Sequence, residues 1–287
     1  ARRPTPVVMV SSHTREGAEA TIRALALGAV DFVAKPSGPI SLNMHVTRDE
    51  LVAKVKAAAT ATPRVRSTAP AAPAFSAREK MQALSGLRRQ MAAGEQPPRR
   101  LVVIGCSTGG PGALHQIIPR LPADLPAGVL VVQHMPPGFT RSLAQRLDEL
   151  SPIVVKEAEA GDRVRAGLVL VAPGGYHMTV DADGRIALDQ GPPVHGVRPA
   201  VDVTFESVVP VWKERLVGVI LTGMGYDGAK GMARLRKAGG WTIAEDASTC
   251  VVYGMPRVVV EMGAAQEVLP VHRIADAITR AVGEGES

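Results

Sequence analysis

The chain is poor in the features that stack, bridge or span. Aromatic residues make up 3% of its 287 positions, too few for a surface that stacks nucleic-acid bases. Its two cysteines, Cys106 and Cys250, build neither a disulfide framework nor a C-x-x-C metal clasp. That usage fits a reducing compartment. No apolar run approaches the roughly 20 residues of a membrane span, and no charged-then-apolar leader opens the chain. A cytoplasmic protein without membrane insertion is expected. No histidine pair has H-E-x-x-H spacing, which disfavours metal hydrolysis.

The net charge of +6 is local. Residues 61–100 hold eight Arg/Lys against two acids, so the whole excess lies there and the remainder sums to zero. The same stretch, 61–98, is rich in Ala, Pro, Ser, Thr and Arg and reads as a linker, with a short helix available at 78–92. Solvated linker charge, not a DNA-binding face, is the reading, and no nucleic-acid partner is expected. Hydrophobic content of 46% with 21% charged residues is that of a globular protein. The length allows one full domain and something smaller.

The chain is organised around Leu101-Val102-Val103-Ile104-Gly105-Cys106-Ser107-Thr108-Gly109-Gly110. The apolar run predicts a buried parallel strand, and the glycines turn it into a helix. Gly105-Cys106-Ser107-Thr108-Gly109 fits the G-x-S-x-G elbow, in which small neighbours let a serine hydroxyl stand exposed. The helix start behind it offers N–H donors to a developing oxyanion. A phosphate loop fits less well, because neither Gly-Lys-Ser/Thr nor G-x-G-x-x-G spacing is present. The elbow alone leaves nucleophile and plain structural turn both open. Cys106 beside Ser107 reads as a small apolar neighbour more readily than as a nucleophile.

Strands and helices alternate from 101 onward, predicting a doubly wound α/β domain over 99–287 with a mostly parallel sheet. Met178–Asp181 and Arg185–Leu188 flank Ala182-Asp183-Gly184 and predict a β-hairpin insertion. The segment from 246 to 256 reads as loop. In such sheets ligands bind at the carboxyl ends of the strands, and three strands end there in Ser107, His134 and Asp227. A serine needs a base for its proton, and the imidazole needs an acceptor on its other nitrogen. His177 and His195 fall in loops that could line a cleft, and Asp202 and Asp246 rival Asp227. Asp202 also suits an N-cap, as does Asp227 for the helix after it. The order Ser…His…Asp differs from that of the α/β-hydrolases.

Residues 1–60 read β-α-β-α, and two strands alone cannot make a covered parallel sheet. Val10-Ser11-Ser12 and Asp31-Phe32-Val33-Ala34-Lys35-Pro36 resemble the C-terminal half of a response-regulator receiver, a flavodoxin-like α/β domain. The resemblance assigns Ser11 the switch hydroxyl and Lys35 the receiver lysine. The phospho-accepting aspartate of that family would lie upstream and is absent from this sequence, which is therefore read as N-terminally incomplete.

Three segments, Ile104–Pro111, Gln133–Thr140 and Leu221–Ala229, resemble the signatures of the bacterial chemotaxis protein-glutamate methylesterases, the CheB family. Ala172–His177, Arg198–Asp202 and Glu245–Pro256 agree with it too. The resemblance implies hydrolysis of glutamate γ-methyl esters on the cytoplasmic helices of chemoreceptors, without metal or organic cofactor. Some members also deamidate receptor glutamines. It implies Ser107 as nucleophile, His134 as general base and Asp227 as the residue orienting it. Met224 and Gly223 fall at the oxyanion and substrate region, with Thr108 bordering the nucleophile within reach of His134. A chemotaxis histidine kinase, acting through the receiver, is the implied regulatory partner.

Overall fold

The computed structural model describes residues 5–12, 14–35, 44–60, 76–92 and 98–283. Residues 1–4, 13, 36–43, 61–75, 93–97 and 284–287, including Pro36 and most of the expected linker, lie outside the described residues.

The N-terminal unit contains β1 (Val8–Ser11), α1 (Arg15–Ala26), β2 (Asp31–Ala34) and α2 (Met44–Thr60). Strands β1 and β2 pair in parallel, Val8 opposite Asp31 through Ser11 opposite Ala34. A two-stranded sheet has no face to spare, so its cover comes from elsewhere. Ala18, Ile22 and Leu25 of α1 and Phe32 of β2 join the same apolar cluster as Leu114, Ile117 and Leu143 of the larger domain. The rings of Phe32 and Phe139 lie 4.5 Å apart. Burial of Ile22 and Leu25 alone contributes about 1.5–3 kcal/mol each. Docking completes the unit's core.

The helix available at 78–92 is present as α3 (Ala77–Ala92). It is anchored: Lys80 Nζ donates to the carbonyls of Asp148, Ser151 and Ile153 and pairs with the Asp148 carboxylate. A cation satisfying carbonyls at the end of a neighbouring helix is favoured by the helix dipole.

The larger domain runs β3 (Arg100–Cys106), α4 (Gly110–Ile117), β4 (Ala127–Gln133), α5 (Phe139–Leu150), β5 (Val154–Glu157), β6 (Leu168–Val171), β7 (His177–Val180) and β8 (Ile186–Asp189). It continues through α6 (Val201–Trp212), β9 (Leu216–Ile220), α7 (Ala229–Lys237), β10 (Trp241–Glu245), α8 (Met255–Glu261), β11 (Glu267–Leu269) and α9 (Val271–Gly283). Seven strands form one sheet in the order β11-β10-β9-β3-β4-β6-β5, every pairing parallel. Strands β7 and β8 form a separate antiparallel pair. Along β3 the side chains alternate between two cores. Val102, Ile104 and Cys106 face α4, α5 and α9, while Leu101 and Val103 face α6 and α7. A sheet covered on both faces requires such continuous apolar strands. The strand order reverses between β3 and β9, which opens a crevice at their carboxyl ends.

Helix α8 corrects the sequence reading. The loop from 246 extends only to Gly254, and Met255–Glu261 is helical with Pro256 in its first turn. Three successive valines, 258–260, favour a strand locally, but Met255 and Val259 are buried against the sheet and packing decides. Among the described residues, no helix is long and apolar enough to cross a membrane.

Candidate active site

Ser107, His134 and Asp227 converge at this crevice. Ser107 follows the last residue of β3, and its N–H donates to the carbonyl of Thr222 beyond β9. Behind it, Gly109 at φ +82° adopts a left-handed turn that glycine enters without penalty, and a Cβ there would meet Val251 at 2.6 Å. His134 follows β4, its N–H donating to Cys106 O at 3.1 Å. The imidazole Nε2 donates to Asp227 Oδ2 at 2.7 Å, leaving Nδ1 as the basic nitrogen. No hydrogen bond joins the Ser107 hydroxyl to His134 among the described residues.

Asp227 is 2% exposed and accepts three hydrogen bonds. It does not cap α7, which follows it, but the neighbouring α6: the N–H groups of Val201 and Asp202 donate to its two oxygens at 2.6 and 3.0 Å. Burial pushes its carboxyl up, yet the His134 and backbone hydrogen bonds outweigh that and hold it below the usual carboxylate range. Asp202, the rival acid, sits inside the first turn of α6 and does not cap it. Its carboxylate accepts from the N–H of Gly231 and from His195 Nε2. Burial, with the nearby Asp227 charge, raises the Asp202 carboxyl. His195, Asp202 and Asp227 offer donor atoms within 4.8 Å of one another, each already engaged in hydrogen bonds. Asp246 stands apart, bonded to Ser248 in its own loop. His177 begins β7, buried, with Nε2 donating to Pro192 O at 3.0 Å.

Thr108 is the second correction. Its hydroxyl donates to Asp31 Oδ2 at 2.6 Å, across to the N-terminal unit, and not to His134. Gly223 lies against the serine: a Cβ on it would stand 2.8 Å from Ser107 Cβ and 2.4 Å from Met255 Sδ. Its N–H is committed to Val252 O, so Gly223 shapes the site without donating into it. Met224 is 39% exposed at the rim. The N–H groups of Thr108 and Met224 reach no acceptor among the described residues. Ser11 ends β1 and Lys35 follows β2 beside it, Lys35 N–H donating to Ser11 O at 2.6 Å; the Ser11 hydroxyl donates to Gly17 O.

Two residues escaped the sequence reading. Gln133 is buried, its amide donating to both Ser107 O and His134 O at 3.0 Å, its oxygen accepting from the Cys106 thiol. Burial also pushes that thiol far up, which removes Cys106 as a nucleophile. Glu245, 1% exposed, accepts from Thr222 N–H and from the Thr249 hydroxyl, fixing the segment that receives Ser107. A lone polar residue at the end of an apolar strand was the available signal for each.

Comparison with known proteins gives the family. The CheB methylesterase family matches residues 102–278. A protein-glutamate methylesterase/protein-glutamine glutaminase of Symbiobacterium thermophilum is 88% identical, over 99% of this chain and 79% of its own length. One of the same description from Pyrococcus abyssi is 46% identical over 97% of this chain and 74% of its own. The crystal structure of the Thermotoga maritima CheB methylesterase catalytic domain superposes with a TM-score of 0.62 at 49% identity, covering 63% of this chain and 97% of that one. The chain belongs to the CheB methylesterase family.

Proposed function

We propose that this chain hydrolyses glutamate γ-methyl esters on the cytoplasmic helices of bacterial chemoreceptors, with Ser107 as nucleophile, His134 as general base and Asp227 as its orienting partner. The observation that carries the reading is the 2.7 Å bond from His134 Nε2 to Asp227, which fixes the Nε2–H tautomer of the neutral ring and so leaves Nδ1 as the nitrogen that can accept the serine proton. Ser107 Oγ attacks the ester carbonyl and its proton passes to His134 Nδ1. The oxyanion is received by the N–H groups of Thr108 and Met224, which flank Ser107 and Gly223 and have no acceptor among the described residues. His134 returns the proton to the departing methoxide, which leaves as methanol. Water, deprotonated by the same imidazole, then opens the acyl-enzyme to the glutamate carboxylate. A glutamine side chain would follow the same steps with ammonia as leaving group, as the names of the relatives suggest. No step calls for a metal or organic cofactor.

The N-terminal unit is proposed to belong to a receiver domain, with Ser11 and Lys35 in the switch positions and a chemotaxis histidine kinase as its partner. Its grip on Thr108, one residue from the nucleophile, supports a role in controlling the site. Methanol release from methylated chemoreceptor membranes, wild type beside Ser107→Ala, tests the chemistry. Release by the wild type alone is expected; equal release by both would remove Ser107 from the mechanism.

A further inference from the structure

We propose that His195 is a positioning residue for the esterase, acting through the Asp202–Asp227 carboxylate pair to hold Asp227 against His134. The inference rests on the esterase reading above. Asp227 and Asp202 are buried carboxylates at adjoining positions, and like charges so close oppose one another. The His195 ring edge enters from the other side. Its Nε2 stands 3.0 Å from Asp202 Oδ2 and 3.9 Å from Asp227 Oδ1, the oxygen not used by His134. A donor there, bonded to Asp202 and within 3.9 Å of Asp227, eases the repulsion between the two carboxylates, and so helps Asp227 keep the orientation that its backbone donors and His134 define.

The chain bends to place that ring. His195 has φ +54°, a left-handed conformation uncommon outside glycine and worth a functional question where it occurs. It sits at the tip of a turn closed by reciprocal hydrogen bonds between Val194 and Val197 at 3.1 and 3.0 Å. Arg198 braces the strap by donating to the carbonyls of Gln190 and Gly191. Tyr226, the residue before Asp227, meets the imidazole edge-on with ring centroids 4.8 Å apart. Asp202 is fixed from its other oxygen by the Gly231 N–H of α7. The groups facing His195 are thus Asp202 from α6 and Tyr226 and Asp227 from the loop after β9. Every element around the ring converges on the triad carboxylate.

The test is a double-mutant cycle in the full chain. His195→Asn tolerates the left-handed backbone but is too short to reach Asp202. It should lower kcat roughly tenfold with KM little changed. In an Asp227→Asn background the same substitution should cost less than about twofold, because residues acting through one another are non-additive. His195→Gln, whose amide nitrogen mimics Nε2, should recover most of the loss. An undiminished penalty in the Asp227→Asn background, or a normal kcat in His195→Asn, would overturn the proposal. The downfield N–H proton of His134, assigned by its loss in Asp227→Asn, gives a readout independent of turnover. It should shift or broaden in His195→Asn, and an unchanged resonance counts against positioning. If the wild type releases no methanol, the esterase reading fails and this resonance still decides the placement of Asp227.

Discussion

Thr108 reaches across the molecule to Asp31, hydroxyl to carboxylate, at 2.6 Å. One partner is the neighbour of the candidate nucleophile; the other begins a strand of the N-terminal unit. Asp31 is also paired with Lys54 of α2 at 3.3 Å, so α2, β2 and the elbow share one polar contact.

Breaking that contact should free the elbow without undocking the unit. A hydrogen bond to a charged group is worth about 1.5–3 kcal/mol, less than the combined burial of Ile22, Leu25 and Phe32. Asp31→Ala should therefore raise methyl-ester turnover several-fold while the thermal unfolding of the full chain remains cooperative. Unchanged turnover would assign the bond a purely structural part.

Loss of the candidate nucleophile should be far more severe. Ser107→Ala should lower turnover by roughly 10³–10⁶-fold with an unaltered circular dichroism spectrum. Retention of half the rate would exclude Ser107 as nucleophile.

Acid should unfasten the Asp227 network. A carboxylate held below its unfolded value contributes stability that is present above about pH 4 and lost as pH falls through its folded value. Melting temperatures of wild type and Asp227→Asn should differ most near neutrality and converge toward pH 3. A gap that stays constant with pH would mean that the hydrogen bonds, and not the charge, carry the effect.

Cys106 should be inert despite its place beside Ser107. Its thiol is buried and its ionisation strongly disfavoured. Iodoacetamide at pH 8 should leave it unmodified in the native chain and alkylate it after denaturation, as read by mass spectrometry of its peptide. Rapid native labelling would show that the elbow opens.

Much of the site was legible locally. Apolar runs mark β3, β4 and β9, and the residue types at or a few positions past their ends are the ones that serine chemistry needs. Helix α8 was not legible, because three β-branched valines in seven residues carry no helical period of their own. Nor was Asp227 as a cap of α6, a bond spanning 26 positions to Val201. Gln133, the last residue of an apolar strand, gains its part only where the fold sets the carbonyls of Ser107 and His134 beside its amide.

The sequence by itself determined the alternation of strands and helices, the elbow and the residues carried to the sheet's edge. These follow from periodicity and turn chemistry, which act over a few residues. Tertiary structure alone decided that β9 crosses to the far side of β3, that Asp227 faces His134, that His195 bends onto the carboxylate pair and that Asp31 holds Thr108. Each of those contacts joins residues distant along the chain. Their energies are realised only after both cores close, so no local pattern encodes them.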